Sequence, residues 1–170
     1  MNTFFLAARV LHVLLGATWL GMVVATTFFL MPAIQEIGPD SGKVMMGLAR
    51  RKFDAFIASV AGVTVLSGLW LYWHFTAGFD PSISASAGGR VFGLGGILGI
   101  AAAIVGGSVV SRSARKIFAL AKQAATADPA TRTQLMQQLE GLRKRVTTGS
   151  RVVAVLLILT IVLMALGHYV

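Results

Sequence analysis

The sequence predicts an all-α integral membrane protein: an antiparallel bundle of four transmembrane helices with a cytoplasmic helical hairpin between spans 3 and 4. Two observations carry this prediction. Charged residues make up only 12% of the 170 residues and the mean hydropathy is +0.78, whereas soluble proteins carry about 25% charged residues. Four apolar stretches also approach the ~20 residues that a helix needs to cross the hydrocarbon core. The chain is therefore expected to form a single membrane domain, residues 1–170.

The first two spans are predicted at about residues 6–31 and 53–77. Pro32 stands at the far edge of the first span, where a helix can kink or end. The connection contains turn-forming residues at 38–41 and basic residues just before the second span. The second span closes with Trp70, Tyr72, Trp73, His74 and Phe75. Aromatic residues of this kind concentrate at the headgroup level of a bilayer.

The last two spans are predicted at about residues 91–110 and 152–170, with a polar stretch at 111–151 between them. Apolar residues recur at helical spacing on both sides of Asp128 and Pro129. An aspartate before a proline is a helix N-cap followed by a proline at the first helical position. The stretch is thus expected to be a helical hairpin whose two arms continue the third and fourth spans.

The third span carries one ridge of small side chains, because Gly95, Gly99, Ala103, Gly107 and Ser111 recur every four residues. Helices in lipid associate largely by close backbone approach at small residues. The ridge therefore predicts a close-packing face.

The distribution of basic residues predicts the orientation in the membrane. The first and third connections carry thirteen of the fifteen Lys and Arg, and the other side carries only Arg9 and Arg90. The thirteen are Lys43, Arg50, Arg51, Lys52, Arg112, Arg115, Lys116, Lys122, Arg132, Arg143, Lys144, Arg145 and Arg151. Basic connections stay in the cytoplasm. We therefore expect a multi-pass protein of a bacterial-type inner (cell) membrane, with both termini on the outer, periplasmic side.

The same distribution excludes nucleic acid as the partner of the net charge of +9. Nucleic-acid binding needs a basic face with aromatic or groove-entering elements, whereas here the charge is topological. The expected partners are the lipid bilayer with its acidic headgroups, and other membrane subunits or further copies of this chain. The absence of cysteine excludes disulfides, thiolate metal sites and covalent haem attachment.

All three histidines fall on the outer side in this topology. His12, His74 and His168 lie near the outer ends of the first, second and fourth spans. If Arg9 sits at the headgroup boundary, His12 lies about 5 Å inside it, and His74 precedes the end of its span by a similar distance. The three imidazoles are therefore expected to share one layer of the outer leaflet.

Helical spacing also suggests that these histidines face the interior of the bundle. Arg9, His12, Gly16 and Trp19 form one stripe on the first span, and Gly16 would leave room for a flat ligand. Two further stripes carry the other histidines: Thr64, Ser67, Leu71 and His74 on the second span, and Ile161, Ala165 and His168 on the fourth.

Histidines from different helices are the axial ligands that a b-type haem requires. His12, inside the span and one turn from Arg9, is the first ligand that we expect, and His74 or His168 is the second. An arginine suits a haem propionate through bidentate hydrogen bonds, which predicts that role for Arg9. The expected function is electron transfer, or service as a small haem-bearing or accessory subunit of a larger membrane complex.

Two alternative functions remain open, copper handling and a purely structural role. Copper could be handled by the three histidines together with Met22 or Met164, because thioether sulfur is a soft ligand. A structural subunit without cofactor would use the small-residue ridge of the third span against a partner. His74 and His168 could also serve only as interfacial anchors.

Several motifs give the chain a resemblance to a known group. It resembles the copper-resistance D-type membrane domain in the first span, with His12, Gly16, Ala17, Thr18, Trp19, Leu20, Gly21 and Pro32. The second span adds Arg50, Arg51, Lys52, Phe53, Leu66, Ser67, Gly68 and Leu69. The same broad group includes the bacterial membrane protoporphyrinogen oxidase, to which this chain is similar in its early histidine followed by a tryptophan. The resemblance implies either copper uptake across the inner membrane or haem-linked porphyrinogen oxidation.

Overall fold

The computed structural model describes residues 3–167 and 169–170, apart from the side chain of Pro39. All regular structure in these residues is helical. Eight α-helices follow one another as α1 (Thr3–Ala25), α2 (Met31–Glu36), α3 (Ser41–Arg50), α4 (Phe53–Phe75), α5 (Pro81–Ser84), α6 (Ala87–Val105), α7 (Arg112–Ala124) and α8 (Pro129–Leu166). The expected all-α fold is thus confirmed, while the predicted site residue His168 lies outside the described residues.

Four continuous helical segments are long and apolar enough to cross a membrane, as a multi-pass membrane protein requires. They are Thr3–Glu36, Phe53–Phe75, Ala87–Ala124 and Pro129–Leu166. In each of the first three segments, only 11% of the residues in the most apolar 18-residue stretch are buried. Apolar side chains that stay largely exposed, as many do here, are suited to contact with lipid.

Three of these segments are longer than the predicted spans. The first continues beyond residue 31, and the third and fourth continue through the polar stretch that was expected to form the hairpin. A π turn at Thr26–Leu30 joins α1 to α2, and another at Gly106–Ser111 joins α6 to α7. Pro32 follows the first π turn almost directly, at a point where the regular hydrogen-bond ladder of the helix is already interrupted. The proline therefore does not end the first helical segment.

Side-chain caps mark where helices begin in the polar segments. Asp128 Oδ1 accepts hydrogen bonds from the backbone N–H groups of Ala130 and Thr131 at 3.0 and 3.1 Å, which confirms the predicted N-cap of α8. Asp80 caps α5 in the same way. Hydrogen bonds from the Ser82 hydroxyl and from the backbone N–H groups of Ile83 and Ser82 lower the pKa of Asp80.

The four long segments pack mainly in two pairs, α1 against α4 and α6 against α8. All four meet at one apolar core, to which each contributes at least one residue: Trp19, Val60, Ala102, Val153 and Leu157. Ala102 is completely buried. The core holds the two pairs together and leaves the outer faces of the helices apolar and uncovered.

The small-residue ridge of α6 is used within the chain. A Cβ at Gly95 would lie 3.1 Å from Met164 Cε, and one at Gly99 would lie 3.6 Å from Thr160 Cγ2. The ridge therefore lets α8 approach α6 closely, as small residues do between membrane helices. Gly107 differs, because no neighbouring atom lies within 4 Å of its Cβ position.

The connection between α4 and α6 is tied tightly to both helices. Tyr72 donates a hydrogen bond of 3.1 Å to the carbonyl oxygen of Gly89, and the ring of Phe75 meets Phe92 edge-on at 5.4 Å. The completely buried Thr76 donates to the Tyr72 carbonyl at 2.8 Å and accepts from the Phe79 N–H at 3.1 Å. These contacts fix the end of α4 that carries His74.

Candidate functional site

The candidate site lies along the seam between α1 and α4. The two helices run in opposite directions, since Gly16 faces Thr64 while Phe5 faces His74. His12 lies between these levels and contacts Thr64, Ser67 and Gly68. The seam thus carries two of the three predicted histidines.

Hydrogen bonds to α4 hold the half-buried imidazole of His12. Its Nδ1 lies 2.9 Å from the carbonyl oxygen of Thr64 and 3.1 Å from the hydroxyl oxygen of Ser67. Because a carbonyl oxygen can only accept, Nδ1 must donate and carries the proton of the neutral ring. Nε2 then keeps its lone pair, which is the form in which histidine binds a metal.

The Ser67 hydroxyl can accept from His12 because its own proton has other acceptors. Its oxygen lies 2.7 Å from the carbonyl oxygen of Val63 and 3.0 Å from that of Thr64. The Thr64 hydroxyl donates in turn to the carbonyl oxygen of Val60 at 2.8 Å. The polar side chains on this face of α4 therefore have partners, as buried polar groups need.

Gly68 allows the imidazole to lie directly against the backbone of α4. A Cβ at this position would lie 2.7 Å from His12 Cε1 and 3.5 Å from Nε2. The sequence pattern alone predicts no role for Gly68 beside His12. A glycine directly after Ser67, one of the polar residues on the face expected to turn inward, was the available signal.

The expected open space at Gly16 is not present, because Thr64 covers it. A Cβ at Gly16 would lie 3.6 Å from Thr64 Cγ2, which is an ordinary van der Waals contact. A flat ligand therefore cannot enter between α1 and α4 at this level without displacing Thr64.

His74 belongs to an aromatic cluster on the same seam. Its ring stacks on Trp70 with a centroid distance of 5.4 Å and an interplanar angle of 6°. Phe5 lies 5.0 Å from His74, and Phe4 meets Trp70 edge-on at 5.1 Å. Because its ring stays exposed, His74 has the surroundings of an interfacial anchor.

The structure does not bring His12 and His74 to one level, contrary to the expected layer of three imidazoles. The partner of His12 is Ser67, whereas His74 follows Ser67 by seven residues. Seven residues of α-helix span about 10 Å at 1.5 Å per residue. The antiparallel register of α1 and α4 therefore places the level of His74 about this distance along α4 from the residue that His12 contacts.

The other residues predicted for a haem or copper site are Arg9, Met22 and Met164. Arg9 is exposed on α1, one turn from His12 towards the N-terminal end. Within residues 3–167 and 169–170, no group of three or more His, Cys, Asp or Glu residues could hold a metal ion. Met22 lies ten residues beyond His12 on α1, about 15 Å away along the helix, and Met164 packs against Gly95. Met22 therefore lies too far along α1 to bind a copper ion together with His12.

Comparison with protein families, with curated proteins and with solved structures finds no match. The resemblance to the copper-resistance D-type group therefore stays a prediction from the motifs.

Proposed function

We propose that the four long helical segments form an antiparallel transmembrane bundle in a bacterial-type inner membrane, with both termini outside. The opposite directions of α1 and α4 support this arrangement, as does the core that all four segments share. The thirteen basic residues of the first and third connections support a cytoplasmic location for α3 and for the hairpin of α7 with α8.

Within this bundle, we infer that His12 is an axial ligand of a b-type haem. The single observation behind the inference is the orientation of its ring. Metal-binding histidines commonly donate a hydrogen bond from the ring nitrogen that does not bind the metal to a carbonyl oxygen, and this bond fixes the ring and its tautomer. The bond from Nδ1 to the Thr64 carbonyl, at 2.9 Å, is such a bond.

The second axial ligand comes from His168 or from a partner subunit. His74 is unsuited to bind the same iron, because it lies about 10 Å from His12 along the seam and stacks on Trp70. A partner subunit is compatible with the largely uncovered helix faces. Arg9, exposed one turn from His12, is the residue suited to pair with a propionate.

The role that follows is electron transfer, either alone or as a small haem-bearing subunit of a larger membrane complex. A haem supplies one-electron chemistry when it is bound. The protein's own contribution is to fix the His12 ring through Thr64 and Ser67, since axial ligation and its hydrogen bonding set the reduction potential of haem iron.

The test is a reduced-minus-oxidised absorption spectrum of the protein purified from haem-replete cells. We expect the α-band of a low-spin b-type haem in the unmodified protein and in His74→Ala, and no such band in His12→Ala. A content of one haem per two chains would identify a second copy of the chain as the source of the other ligand. A content of one haem per chain that is lost in His168→Ala would identify His168 as that ligand.

His12→Gly with added imidazole controls for misfolding, because free imidazole can occupy the vacated ligand position and restore the band. A haem-free spectrum of the unmodified protein would contradict the proposal. An unchanged band in His12→Ala would contradict the assignment of the ligand.

A further inference from the structure

The helix α3 is amphipathic, and none of its residues is buried. At 100° per residue, the side chains of Val44, Met45 and Leu48 fall on one face, and the opposite face carries Lys43 and Arg50. Val44 and Met45 are 37% and 42% exposed. Leu48 is half-buried, so the described chain covers this apolar face only in part.

The position of α3 in the chain restricts what can cover that face. It follows the first membrane-spanning segment, which ends at Glu36, and precedes the second, which begins at Phe53. Lys52 has left-handed backbone angles, φ 54° and ψ 35°, so the chain turns sharply between α3 and α4. A short helix held between two spans in this way stays at the membrane surface.

The basic residues at the end of α3 lack acidic partners among residues 3–167 and 169–170. Lys43 forms an ion pair with Asp40 at 2.7 Å, whereas Arg50, Arg51 and Lys52 form none there. The guanidinium groups of Arg50 and Arg51 instead donate to Met46 Sδ and to the Gly47 carbonyl oxygen, within their own helix. Three cations without acidic partners in the described chain therefore follow one another at the end of a helix whose apolar face is only partly covered.

We propose that α3 lies in the plane of the membrane and binds anionic phospholipid. The apolar face enters the boundary between headgroups and acyl chains, and Arg50, Arg51 and Lys52 hold the phosphate groups. Helices that lie in the interface combine these two interactions, and basic residues near an anionic surface strengthen the binding. The charge of the cluster selects anionic lipid over a purely zwitterionic surface.

The absence of cysteine allows a direct test in the full-length protein. An environment-sensitive fluorophore is attached to Met45→Cys or to Lys43→Cys, on opposite faces of α3. The labelled proteins are reconstituted in vesicles of phosphatidylcholine with increasing phosphatidylglycerol. We expect a brominated lipid to quench the probe at 45 and aqueous iodide to quench the probe at 43. The contrast is expected to grow with the anionic fraction.

Neutralising Arg50, Arg51 and Lys52 should raise the anionic lipid fraction that is needed to quench the probe at position 45. In Arg50→Gln/Arg51→Gln/Lys52→Gln, half-maximal quenching at 45 is expected to require a severalfold higher anionic fraction. The matched control is Arg143→Gln/Lys144→Gln/Arg145→Gln on α8, which removes the same charge from the hairpin and should change nothing. Equal quenching at 43 and 45, or equal effects of the two triple variants, would overturn the proposal. Protection of position 45 from both quenchers would also overturn it, in favour of a second protein chain as the occupant.

Discussion

At the scale of single residues, the close contact between His12 and Gly68 is the most sensitive point of the site. We expect Gly68→Ala to destabilise the protein by about 1–3 kcal/mol, the usual cost of overpacking. The reason is that the new Cβ would lie 2.7 Å from His12 Cε1, so the ring would have to leave its hydrogen bonds with Thr64 and Ser67. Unfolding in detergent, followed by circular dichroism, measures the effect.

Gly16→Ala is the matched control for this prediction. It adds the same methyl group to the same seam, at an ordinary contact distance of 3.6 Å from Thr64 Cγ2, and should leave stability nearly unchanged. Equal destabilisation by the two variants would show that the seam resists any added volume, and that the His12 contact has no special part.

Part of the site could be predicted at this scale. A histidine inside an apolar span is costly enough to attract attention from sequence alone, and Thr64 and Ser67 were expected on one face of the second span. The acceptor for Nδ1 could not be found in this way, because it is the backbone carbonyl of Thr64. Which carbonyl a side chain reaches depends on the register between two helices, and the sequence does not show that register.

At the scale of helices, the cap of α8 makes the hairpin sensitive to acid. Hydrogen bonds from the Thr131 side chain and from backbone N–H groups lower the pKa of Asp128. A carboxylate with a lowered pKa stabilises the folded state fully above its unfolded pKa, and this contribution disappears as the pH falls through the folded pKa. We therefore expect the start of α8 to loosen only below about pH 4.

Hydrogen exchange at the backbone amides of Ala130 and Thr131, which donate to Asp128, measures this loosening. Asp128→Asn keeps a side-chain oxygen that can cap the helix, and this side chain cannot ionise. In this variant, the protection of the two amides against exchange should therefore no longer fall at low pH. If protection in Asp128→Asn still fell with pH as in the unmodified protein, another group would be responsible.

The helices themselves were largely predictable, and their ends were less so. Apolar length and the Asp128–Pro129 pair were sufficient for the four long segments and for the start of α8. The π turns at Thr26–Leu30 and Gly106–Ser111 were missed. A π turn depends on how a helix accommodates its neighbours, and both turns pack against α8.

At the scale of the whole molecule, the proposed orientation can be tested with single cysteines, since the chain has none of its own. We expect Ser82→Cys, in the connection between α4 and α6, to react with a membrane-impermeant maleimide in spheroplasts. Lys144→Cys, in the hairpin, should react only after the membrane is made permeable. Both positions are exposed in the structure, so accessibility of the side chain itself is matched.

The reverse labelling pattern would place the basic connections outside and contradict the orientation. It would also move α3 to the outer surface, where the lipid composition differs.

The two helices that form the hairpin also extend through the proposed membrane-spanning region. The segments Ala87–Ala124 and Pro129–Leu166 each contain 38 residues and are thus about 57 Å long, of which the hydrocarbon core accounts for about 30 Å. They pack closely against each other at Gly95, Gly99 and Gly149, and in the proposed orientation about half of each segment would lie inside the hydrocarbon core. The π turn at Gly106–Ser111 lies near the middle of the first of these two segments. In the proposed orientation, a molecule that binds the hairpin would therefore contact the same two helices that continue into the membrane-spanning bundle.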